Sequence, residues 1–104
     1  MSGYNTSIRP GEHWERRFQK TVDDDLQDLS QYSVEVDFLD NFGNPPVAST
    51  IELEDENTIL WTITTEDSED IKRGGDFVIW LVDDDEQKIE FISGNITLRG
   101  EPNE

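Results

Sequence analysis

Few side chains in this sequence are of a type that does covalent chemistry. His13 is the only histidine, so a site needing two imidazoles is excluded, and no serine or lysine stands beside it in a nucleophile pattern. There is no cysteine, which removes thiol catalysis, zinc–thiolate sites and disulfides together. Gly74-Gly75 lacks the spaced glycines and the following Lys-Ser or Lys-Thr of a phosphate-cradling loop, and it reads as a turn. Carboxylates are plentiful, in the runs Asp23-Asp24-Asp25, Asp67 to Asp70 and Asp83-Asp84-Asp85-Glu86. Calcium favours several oxygens gathered on one loop, but none of these runs has the central glycine and closing glutamate of the twelve-residue calcium loop. They read as solvated turns. No catalytic residue, metal or cofactor is expected, and the function class that remains is a binding or structural module.

The charge narrows the partner. With 25 Asp and Glu against 8 Lys and Arg, the net charge is −17, a field that repels polyanions, so nucleic acid is not expected as a ligand. The charge is uneven: residues 1–22 hold four cations, Arg9, Arg16, Arg17 and Lys20, against two carboxylates. This predicts a basic N-terminal arm able to lie on an acidic neighbour, with Arg9, Arg16 and Arg17 as its contact residues. No apolar run approaches the roughly 20 residues of a membrane span, and the start, Met1 to Ser7, has no signal-peptide character. A soluble protein made in the cytosol, with no membrane partner, is the expectation.

Stepping along the chain, period-2 alternation dominates, and this predicts an all-β fold: one antiparallel β-sandwich of about seven strands with one short helical turn. Tyr32, Val34, Val36 and Phe38 alternate with Ser33, Glu35 and Asp37 as a half-buried strand, and the loop Asp40 to Pro46 breaks it. Val47–Leu53 and Thr58–Thr64 follow, with Trp61 placed at the core centre. Thr65-Glu66-Asp67-Ser68 reads as a capped helical turn with Thr65 as the cap. Lys88–Ile92 and Asn95–Arg99 form the last two strands, divided at Ser93-Gly94, where Gly94 marks a bulge or bend. The first strand spans residues 12–22, with Trp14, Phe18 and Val22 on one face. Residues 1–11 are an extended arm, 12–99 the sandwich and 100–104 a flexible tail.

Phe77-Val78-Ile79-Trp80-Leu81-Val82 has no polar alternation. Phe77, Ile79 and Leu81 are expected to face the core, which turns Val78, Trp80 and Val82 outward as a contact patch, unless a terminal arm of the chain covers it.

Ile8-Arg9-Pro10-Gly11-Glu12-His13-Trp14, then Asp28 to Val36, the Asp40–Pro46 loop, the Thr65–Ser68 turn before Gly74-Gly75 and the closing Ile92 to Leu98 together resemble small β-sandwich domains of bacteriophage virions, over about residues 8–99. The resemblance implies a non-enzymatic minor tail, fibre or baseplate-adaptor protein located in the virion, present in several copies and docking on other tail, baseplate or capsid subunits. A capsid decoration protein is the nearest alternative, and an acidic DNA mimic that blocks a host protein is the second.

Overall fold

The computed structural model describes residues 4–99. The fold is mostly β, in three sheets. β1 (Tyr4–Ile8), β9 (Lys88–Leu98), β8 (Gly75–Val82) and β5 (Ser33–Leu39) form a four-stranded sheet in the order β1-β9-β8-β5. β2 (Trp14–Phe18), β7 (Thr58–Ile63) and β6 (Thr50–Asp55) form a three-stranded sheet in the order β2-β7-β6. β3 (Thr21–Val22) and β4 (Asp25–Leu26) pair as a short ribbon, and α1 (Thr65–Ser68) is the one helical turn. The expected flexible tail, residues 100–104, and the first three residues of the expected extended arm lie outside the described residues.

Alternation decides which side chains meet. Phe77, Ile79 and Leu81 of β8, Phe38 of β5, Ile59, Trp61 and Ile63 of β7 and Trp14 and Phe18 of β2 are all buried. Trp61 is fully buried at their centre, as its place in the Ile59-Trp61-Ile63 alternation predicts. Its ring lies edge-on to Trp14 at 5.0 Å and to Phe38 at 5.6 Å, and 4.9 Å from Phe77, so it touches aromatics of both larger sheets. Edge-to-face contacts of this kind add to the gain from burying area alone. The indole N–H donates to Ser49 Oγ at 2.9 Å, so this buried donor is paired.

Four expectations are corrected. Tyr4–Ile8 is not a free arm: it is an edge strand, and it runs parallel to β9, so the four-stranded sheet is not purely antiparallel. Asn5 and Ser7 make the segment look polar, but Ile8 is fully buried and the Tyr4 ring packs 5.0 Å from Phe18. The second correction concerns Gly94, which is not a bulge. It sits inside the continuous strand β9, where a Cβ would overlap the backbone of Tyr4, so its lack of a side chain admits β1. The irregularity falls instead at Phe91, left over between the Ile79–Ile92 and Trp80–Glu90 pairs.

The third concerns Val22, expected on the core face with Trp14 and Phe18. It is 52% exposed, because the chain leaves the sheet at Gln19 and Val22 pairs with Asp25 in the β3–β4 hairpin. Asp23 and Asp24 supply the positive φ values, 54° and 71°, that a two-residue hairpin turn of this hand needs. The fourth is the helix cap, which is Thr64 and not Thr65: Thr64 Oγ1 accepts from the Asp67 N–H at 3.2 Å. The turn it starts buries Ser68, whose hydroxyl donates to the Glu12 carbonyl at 2.8 Å and ties down the β1–β2 connection.

Candidate functional site

β8 lies inside the four-stranded sheet, between β5 and β9, so its two rows of side chains have different fates. With Phe77, Ile79 and Leu81 taken by the core, Val78, Trp80 and Val82 emerge on the outer face, each half-buried. No terminal segment among the described residues lies over them; the N-terminal strand is spent on the β9 edge.

The neighbours of Trp80 follow from register. Glu35 on β5 and Glu90 on β9 stand directly opposite it on either side. The indole N–H donates to Asp37 Oδ2 at 3.0 Å, which fixes the ring on the sheet surface. Lys88, paired with Val82, brings its Nζ to 3.2 Å from Glu35 Oε1 and 5.9 Å from the Trp80 ring centroid. The face is therefore an apolar stripe with an oriented aromatic at its centre and carboxylates along both sides.

The basic residues expected to share this role are elsewhere. Arg17 belongs to the three-stranded sheet, not to the sheet that carries Trp80, and its guanidinium makes a two-pronged contact with Glu54 at 2.8 and 2.9 Å. That contact holds the Glu54 carboxyl below its usual range and raises the Arg17 guanidinium. Arg16 bridges the edges of the two larger sheets: Nη2 donates to Thr6 Oγ1 at 3.1 Å, and the guanidinium lies 4.8 Å from the Trp14 ring centroid. Arg9 stands in the β1–β2 turn with its side chain exposed, and its backbone N–H donates to Glu12 Oε1. The three arginines form no shared patch: Arg16 and Arg17 make contacts to other strands of this chain, and Arg9 is exposed in a turn.

Asp83, in one of the acidic runs, and Asp40 build turns with their carboxylates. Asp83 Oδ1 accepts from the Asp85 and Gln87 N–H groups at 2.9 Å each, and Asp40 Oδ1 accepts from Phe42 at 2.8 Å and Asn44 at 3.1 Å. The Asn44 N–H is the main reason the Asp40 carboxyl sits below its ordinary value; the Phe42 N–H and nearby Arg73 add to it against the cost of burial. Among the described residues no group of three or more His, Asp or Glu side chains is placed to share a metal ion.

One feature escaped the sequence reading. The bonds to Asp40 stiffen a loop that presents Phe42, 73% exposed, with the Arg73 guanidinium 4.9 Å from its ring centroid. A turn pattern forecasts the bend but not the cation above the ring, since Arg73 comes from the segment just before β8, which the β5–β8 pairing brings beside the end of β5. No helix of the described residues is long and apolar enough to cross a membrane. No family model matches the chain, and no curated protein matches it in sequence.

Proposed function

We propose that this chain is a non-enzymatic docking module, a sandwich made by the four- and three-stranded sheets, that holds a partner protein against the outer face of β8. The observation that carries the reading is the pairing of a filled inner row, Phe77, Ile79 and Leu81, with an outer row, Val78, Trp80 and Val82, over which no other segment of the described residues lies. The Trp80 N–H is already held by Asp37, so the ring is oriented before any partner arrives. Trp is also among the side chains that carry most of the energy at protein interfaces.

The setting we propose, from the resemblance of residues 8–99 to virion domains, is a phage particle, with the chain as a tail, fibre or baseplate adaptor. Mass spectrometry of purified particles tests the setting: the chain is expected among the particle proteins, and its absence overturns that setting. Replacing Trp80 tests the face. Trp80→Ala is expected to keep the cooperative melt of the parent and to lower the amount of chain retained on particles; unchanged retention contradicts the proposal.

A further inference from the structure

Next to Trp80 on this face stand the carboxylates Glu35, Asp37 and Glu90 and the cation Lys88, with Asp76 and Arg99 farther toward the other end of the sheet. This composition points to the chemistry of the partner. Glu35 and Glu90 stand opposite Trp80 on the two adjacent strands, whose backbones run about 5 Å away on either side. Asp37 accepts from the indole N–H at the ring edge, a bond that does not use the π face. Aromatic faces attract cations, arginine above all, and two carboxylates beside the ring supply acceptors for the guanidinium donors. Lys88 already samples this arrangement within the chain, paired with Glu35 and lying near the ring, though at 5.9 Å it is at the far limit of such contacts.

We infer that the Trp80 face takes a basic segment of a partner protein, with an arginine stacked on the indole between Glu35 and Glu90 and with Lys88 displaced from its place beside the ring. The valines on either side, Val78 and Val82, cover the aliphatic stem of the incoming side chain. The net charge of −17 favours the same class of partner, since it speeds encounter with a basic surface and resists association with acidic ones, including further copies of this chain. The inference rests on the docking face proposed above and adds the partner's chemistry to it.

The three indole N–H groups make the test selective. Trp14 and Trp61 are buried, bonded to the Ser7 carbonyl and to Ser49 Oγ, so of the three only the Trp80 signal should respond to a surface ligand. The full ¹⁵N-labelled chain is titrated with the peptide acetyl-Arg-Gly-Arg-amide and, in parallel, with the same peptide carrying neutral citrulline for arginine. The arginine peptide is expected to move the Trp80 signal saturably, to leave the other two in place, and to bind at least about fivefold more tightly than the citrulline peptide. Glu35→Gln and Glu90→Gln should each weaken binding by about threefold or more, and Lys88→Gln should strengthen it, by removing a competitor.

Lys72→Gln makes the same change of charge on the α1–β8 connection and should leave the affinity as it is. In every variant the unmoved Trp14 and Trp61 signals report that the fold is intact. A still Trp80 signal, equal affinity for the citrulline peptide, or equal strengthening by Lys72→Gln and Lys88→Gln overturns the inference. If that happens while Trp80→Ala still releases the chain from particles, the partner's chemistry is wrong and the docking face stands. If Trp80→Ala leaves particle retention unchanged, the face itself is wrong.

Discussion

Replacing Trp61 with alanine should cost about 3–5 kcal/mol, the range for deleting a large buried aromatic. Trp61 contacts Trp14, Phe38 and Phe77, so the cavity left behind is walled by rings that cannot all collapse into it. Urea unfolding checks this, and a loss under about 1 kcal/mol would mean that the centre of the core lies elsewhere. The β3–β4 turn offers a gain of the opposite sign. Asp24 holds a φ of 71°, a region in which a β-carbon is strained and glycine is not, so Asp24→Gly should stabilise the chain by about 0.5–1 kcal/mol. A neutral or destabilising result would show that the aspartate side chain contributes more to the turn than its backbone strain costs. Trp61 was legible in the sequence because its alternating neighbours admit only one buried row. Val22 was not, because a side chain four residues beyond Phe18 continues a strand face only if the chain stays in the sheet, and here it leaves at Gln19.

β1 depends on Gly94. An added Cβ there would overlap the Tyr4 carbonyl, so Gly94→Ala should detach or displace β1 and cost about 1–3 kcal/mol, the usual range for overpacking. Amide hydrogen exchange localises the effect: β1 and the adjoining half of β9 should lose protection while β7 keeps it. Uniform loss would instead indicate global unfolding. The sequence marked Gly94 as special for the wrong reason. A glycine in a strand pattern fits a bulge or a close backbone approach equally well, and the two are separated only by knowing that Tyr4–Ile8 returns to lie beside β9. β5 and β7 were legible because each alternates over six or more residues, and β8 because it is an unbroken apolar run; β1 was hidden by Asn5 and Ser7, whose polarity reflects the outer face of an edge strand.

At the scale of the whole chain, a charge of −17 sets two opposed responses to acid. The carboxyls of Asp28, Asp40, Glu54 and Asp55 are held below their ordinary values by hydrogen bonds from Ser30, Asn44, Arg17 and Asn57 respectively. Lowered folded values mean that the unfolded chain takes up protons first on acidification. The stabilisation is complete above the ordinary values, 3.8 for aspartate and 4.5 for glutamate, and is lost as the pH falls through the lowered ones. Protonation of the other carboxylates meanwhile relieves repulsion and favours the compact state. Salt separates the two effects. At neutral pH, raising it from about 0.02 M to about 0.3 M should raise the melting temperature by screening repulsion. In about 0.5 M salt the melting temperature should then fall steadily from about pH 5 to about pH 3, as only the loss of these hydrogen-bonded carboxylates remains. A rise over that interval would show that repulsion still dominates.

The outer row of β8 was legible as a patch because strand parity leaves Val78, Trp80 and Val82 nowhere else to point. Its carboxylate flanks were not, since Glu35, Asp37 and Glu90 meet Trp80 only through the pairing of three strands distant in sequence. The most direct test of the docking face is the retention of Trp80→Ala on purified particles beside its melting curve. A markedly lower retention with an unchanged melting temperature is the predicted result. Retention equal to that of the parent chain, with the same melting temperature, would contradict the account.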